Sequence, residues 1–112
     1  PLEVNKALAI ACRTYAAHTM MQSEKLKKCY HIKNTNSHQT YKGARDNKVL
    51  QEAVRQTKDT ILVHDGKPIL AMFDSCCGGV VSGHIADFDF NKAPYLKRPY
   101  ACTACKKSKL YR

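Results

Sequence analysis

Cys102-Thr103-Ala104-Cys105 sets two sulfurs at the C-x2-C spacing from which a pair of thiolates reaches one tetrahedral zinc ion. That is half a site. Cys77 offers a third thiolate beside Gly78-Gly79, where a tight turn would leave its sulfur accessible. A fourth ligand then falls among Cys76, Cys29, His38 and His84. The same cysteines also permit a disulfide framework in an oxidising compartment. A further chemistry is nucleophilic: Cys77 would need a histidine base within hydrogen-bond reach and a group orienting that base. His31, His38, His64 and His84 are available, and the order of residues pairs none of them with Cys77. Among the acids, Glu3 stands in the first turn of a helix-forming stretch, where a carboxylate complements the positive helix end.

The elements that must position these groups are legible in outline. Pro1 suits a first helical position, and apolar or small residues recur at Val4, Leu8, Ala11, Cys12, Tyr15 and Thr19. This spacing predicts a helix over 2–21, fading through the lysine-rich residues 22–28, with Cys12 an inert buried thiol. Ala7, Ala9, Ala16 and Ala17 would let a neighbouring backbone approach closely. Residues 30–32 read as a short strand and 33–43 as a polar loop. Asp46 or Asn47 can cap a second helix ending near residue 58, with Val49, Leu50, Ala53 and Val54 facing inward. Asp65-Gly66 between the apolar runs 60–64 and 68–73 signals a hairpin. The chain after Gly79 is irregular. The expected fold is α+β: a long N-terminal helix and a second helix packed on a small antiparallel sheet.

At 112 residues, 44% apolar and 25% charged, the chain is read as one folded domain over 1–112. No apolar run approaches the roughly 20 residues of a membrane span. The sequence opens without an initiator Met on the threshold of a helix, so a fragment of a longer protein is expected. Net charge is +10, with 19 Lys and Arg against nine acids. The excess gathers at Lys25-Leu26-Lys27-Lys28, Lys97-Arg98 and Lys106-Lys107-Ser108-Lys109. Such a balance favours a polyanion: nucleic acid, acidic lipid or a cell-wall polymer. Nucleic acid is not the expected partner, because no recognition element interleaves these cations with aromatics and only half a finger signature is present.

Four segments resemble one family in its own order. The opening P-L-E-x-x-K-A-x-A-x-A-x-R-T-Y-A is similar to the E-A-L-K-A-Q-A-x-A-A-R-T-Y helix of the stage II sporulation protein D / amidase-enhancer family. Ser37-His38-Gln39-Thr40-Tyr41-Lys42-Gly43 resembles its S-Q-x-Y-x-G segment, Asp74-Ser75-Cys76-Cys77-Gly78-Gly79 its H-S-x-x-G-G turn, and Pro94-Tyr95-Leu96 its P-Y-L. The likeness spans nearly the whole chain.

The resemblance implies lytic cleavage of peptidoglycan glycan strands, above all strands already stripped of stem peptides by an amidase. Glu3 matches the glutamate at the start of the family's helix. A lytic transglycosylase uses the muramic acid's own 6-hydroxyl as nucleophile, so one carboxyl can act as acid and then as base, where ordinary glycosidases need two. The family carries a second glutamate in an E-M-P segment upstream of this helix, outside this sequence, and that residue competes with Glu3 for the role. Gln39, Tyr41 and Ser75 supply amide, phenol and hydroxyl groups suited to sugar. Some members bear Cys in the Gly-Gly turn, a C-x2-C after P-Y-L and a Cys just before the Gln of Q-x-Y-x-G. His38 holds that last position here, which implies a structural zinc on His38, Cys77, Cys102 and Cys105, with Cys76, His84 and Cys29 still competing. The implied partners are glycan strands and a cell-wall amidase, in the bacterial envelope outside the cytoplasm. The alternatives are a non-catalytic cell-wall-binding, amidase-enhancing module of the same fold and, after it, a basic zinc module binding nucleic acid.

Overall fold

Alanine, leucine, methionine and the long charged residues, all strong helix formers, dominate the first 25 residues. In the structure, a computed structural model, they form α1, Leu2–Lys25. The described residues are 1–35, 38–44, 46–73, 91, 93–97, 103–107 and 109. They belong to two units, Pro1–Ala71 and Met72–Arg112. Helix α1 runs a turn beyond the expected end because Gln22, Glu24 and Lys25 favour the helix. What stops it is a paired cap: the Lys28 amide donates to the Ser23 carbonyl at 2.9 Å and the Lys27 amide to the Glu24 carbonyl at 3.0 Å. This is the Schellman arrangement, with Lys27 at φ 49° where glycine is the usual residue.

The expected stripe of α1 is covered only in part: Ala11, Cys12, Tyr15 and Thr19 are half-buried. Val4 and Leu8 are exposed, while Thr14 and Ser23 are buried. At 100° per residue Thr14 lies roughly 110° round the helix from the centre of that stripe. A threonine can be buried there because both roles of its hydroxyl are filled. It donates to the Ile10 carbonyl at 2.7 Å and accepts from the Leu62 amide at 2.9 Å. Beside it, the Arg13 guanidinium donates to the carbonyls of Thr57 (2.7 Å) and Thr60 (2.8 Å). Ser23 donates to the His31 carbonyl at 2.9 Å, folding the chain back along the helix end. Residues 30–32 are therefore not a strand.

Asn47 starts α2, Lys48–Gln56. Its backbone is extended, and its Oδ1 accepts from the amides of Val49 (3.0 Å) and Leu50 (3.1 Å). Such a cap contributes about 1 kcal/mol. Helix α2 packs on α1. Of the four residues expected to face inward only Ala53 is buried; Val49, Leu50 and Val54 are exposed.

The hairpin is present and short. Strands β1 (Val63–His64) and β2 (Lys67–Pro68) pair antiparallel, with Val63 opposite Pro68 and His64 opposite Lys67. Asp65 and Gly66 both have positive φ, 49° and 71°, the requirement of a type I′ turn. The expected strand over 60–64 is cut back because α1 claims its backbone: Arg13 takes the Thr60 carbonyl and Thr14 the Leu62 amide. Opposite, Pro68 has no N–H to offer, and its carbonyl receives the Nδ1–H of His18 at 2.9 Å. In the second unit, Pro94–Leu96 and Ala104–Lys107 are 3-10 turns. No described helix is long and apolar enough to cross a membrane.

Candidate functional site

Glu3 occupies the first turn of α1, as the sequence predicts. Its carboxylate is 79% exposed and lies 2.7 Å from the Nζ of Lys6, one turn on, whose stem is mostly covered. The Lys6 charge also acts on Glu52 of α2, so one ammonium serves acids on both helices. Glu52 is held far below the ordinary carboxylate range, at about 2. The main cause is the hydrogen bond from Arg55, followed by that from Gln56; the charges of Arg55 and Lys6 add to it. Arg55 is raised in turn by the same partner. Glu52 thus stays ionised at any physiological pH and can act only as a fixed negative charge. Lys6 and Glu52 were not singled out in the sequence. The three-residue spacing of Glu3 and Lys6 was a usable signal; the approach of Glu52 depends on how α2 packs and was not.

Gln39 and Tyr41 part company. The Gln39 amide donates to the Cys12 carbonyl at 3.1 Å, nine residues and about 13 Å along the helix from Glu3. That bond anchors the 33–43 loop on α1. Tyr41 is held through its backbone by Asn34, whose Nδ2 donates to the Tyr41 carbonyl at 3.3 Å and whose Oδ1 accepts from the Tyr41 amide. Its ring is 69% exposed and open to stacking.

Within the expected metal set, His38 is the residue whose side chain is described. Its Nδ1 accepts the Lys33 amide at 2.9 Å, and an amide can only donate. The neutral ring therefore carries its proton on Nε2. Ligation through Nδ1 would compete with Lys33, and ligation through Nε2 would set two N–H groups face to face. His38 in this arrangement does not fit a zinc ion; that hydrogen bond would have to open first. Cys105 lies in the 104–107 turn, with only its backbone described. Ser75, Cys76, Cys77, His84 and Cys102 lie outside the described residues, as does Ser37 of the loop motif. Among the described residues no group of three or more His, Cys, Asp or Glu side chains is poised to hold a metal. Cys12 and Cys29 are free thiols, and burial pushes the Cys12 thiol up.

A profile of the Stage II sporulation protein family, SpoIID, matches residues 1–64, which include α1, the loop with Gln39 and Tyr41, α2 and β1. An uncharacterised protein of Brachyspira hyodysenteriae is 38% identical over 81 residues, covering 70% of this chain and 22% of that protein. The chain thus matches about a fifth of that relative's length. No solved structure matches.

Proposed function

Because the chain belongs to the SpoIID family, whose membership points to a cell-wall-related role in sporulation, we propose that it acts on peptidoglycan glycan strands stripped of their stem peptides. The chemistry proposed is that of a lytic transglycosylase, with Glu3 as the proton-transferring carboxyl. Glu3 would protonate the glycosidic oxygen as the bond to the anomeric carbon breaks. It would then accept the proton of the muramic acid 6-hydroxyl as that oxygen closes onto the same carbon, leaving an anhydro end. The single observation that carries this is the contrast between Glu3 of α1 and Glu52 of α2. Glu52 is locked as a carboxylate by Arg55 and Gln56, whereas Glu3 stands open to a polymer at the start of α1. A mechanism with one proton-transferring acid is compatible with that pair. Tyr41 would stack on a sugar ring, and Gln39 would hold the loop that carries it. Ser75 remains a proposed sugar contact, and the envelope outside the cytoplasm the proposed site of action.

The test is incubation of the chain with stripped glycan and mass spectrometry of the products. Anhydro-muramyl ends that vanish in Glu3→Gln are expected; ends that persist in Glu3→Gln remove Glu3 from the role. A second reading, a binding module that aids a cell-wall amidase without cutting, draws on the Lys6 ammonium against Glu3 and on the engaged Gln39 amide. Binding of stripped glycan with no anhydro ends selects it. A structural zinc on His38, Cys77, Cys102 and Cys105 is proposed separately. Its formation would require the His38–Lys33 hydrogen bond to open. One zinc per chain by elemental analysis supports it, and none with all six thiols titratable removes it.

A further inference from the structure

The end of α1 and the chain just after it carry four exposed lysines, Lys25, Lys27, Lys28 and Lys33, against one acid, Glu24. None of the four has an ion pair among the described residues, and Glu24 faces the His31 Nε2 at 3.9 Å. Charge at the helix end accounts for Lys25, which lies in the last turn and complements the carbonyl end of the dipole. The other three lie beyond the helix.

Two details set this cluster apart. The Nζ atoms of Lys28 and Lys33 stand 5.8 and 4.8 Å from the centre of the Tyr30 ring, whose π face attracts and steadies both. Lys27 occupies the left-handed position of the helix cap, where a side chain is disfavoured and glycine fits without strain. The lysine at that position adds a third exposed cation next to Lys28 in the chain.

We infer that this lysine cluster around Tyr30 is a docking surface for a polycarboxylate chain. The surface is all ammonium: residues 24–33 contain no arginine, the side chain whose planar fork favours phosphate. Single, spaced carboxylates suit such point charges, and the lactyl carboxylates bared along a stripped glycan are spaced in that way. The choice of natural polymer rests on the glycan reading above; the surface itself does not.

The test uses the whole chain, with poly-L-glutamate and peptide-stripped glycan as separate probes, titrated at low and at physiological salt. The variant replaces Lys25, Lys27, Lys28 and Lys33 together by Gln. The control replaces Lys42, Lys48, Lys58 and Lys67, which are exposed elsewhere in the first unit, and circular dichroism verifies folding of both. Four exposed ion contacts amount to about a tenfold loss of affinity. That loss is expected for both probes in the cluster variant, shrinking as salt rises, with the control losing much less. Equal losses in the two variants, or no binding of poly-L-glutamate by the native chain, overturn the inference. Poly-L-glutamate bound through the cluster while stripped glycan is ignored supports the surface and defeats the glycan reading alone. Duplex DNA held by the same four lysines more tightly than poly-L-glutamate at equal salt overturns the carboxylate assignment. Lys27→Gly adds a readout that general charge removal does not give: polymer binding falls while the melting temperature rises.

Discussion

The joint between α1, α2 and the hairpin, and the loop that follows α1, are built on opposite terms. In the joint, polar side chains of α1 finish the backbone of the elements they touch: Arg13 caps two carbonyls, and Thr14 fills an amide that would otherwise seek a strand. Among the described residues of the first unit the buried ones are small or polar (Thr14, Ser23, Ala53, Thr57 and Ala71), so directed hydrogen bonds carry much of the specificity that large apolar side chains usually supply. In the loop over 26–44 Asn34, His38 and Gln39 also engage backbone, but the lysines and the Tyr41 ring are exposed. Side chains engaged with backbone hold the fold, and those left to solvent are the ones available to a polymer.

The strongest way to break that contrast is Arg13→Ala, which strands two carbonyls and removes a charge-assisted donor. Chemical denaturation should show a loss of about 2 kcal/mol, and a loss near zero would mean the joint does not depend on it. Thr14→Ala should follow at about 1.5 kcal/mol, with amide exchange at Leu62 rising first, because its partner is gone while the rest of the hairpin is intact. The loop predicts the reverse sign. Lys27→Gly should stabilise by about 1 kcal/mol through relief of the left-handed lysine, measured by the same denaturation. The smallest effect concerns Glu52. Its folded pKa, about 2, lies below its unfolded value, so its contribution is present above roughly pH 4.5 and is lost as pH falls toward 2. The native chain should therefore lose stability over that window and Glu52→Gln should lose less, a difference that shrinks with added salt because the pair is open to solvent.

How far the sequence discloses this arrangement differs between the same two regions. Local chemistry was readable: the Asn47 cap, the Asp65-Gly66 turn and the long helix opening on Glu3 stand where residue types place them. Side-chain-to-backbone bonds over forty or more residues were not. Arg13 and Thr14 carry no pattern that points at Thr57, Thr60 or Leu62, and so neither the full burial of Thr14 nor the shortness of β1 is legible in the sequence. Gln39 shows the same limit within the site. Nothing in its local sequence signals that its amide nitrogen donates to the Cys12 carbonyl. The placement of Glu3 at the start of α1 and of Tyr41 on the loop is legible because each sits, exposed, on a locally determined element.

The central claim is that this chain selects bare, carboxylate-bearing glycan. It is tested most directly by titrating the native chain against equal lengths of peptide-stripped and peptide-bearing glycan while salt is raised through the physiological range. The account predicts tighter binding to the stripped strand and an affinity that falls steadily with salt, since screening lengths there are only about 8 to 10 Å. Equal affinity for the two strands, or binding indifferent to salt, would contradict it.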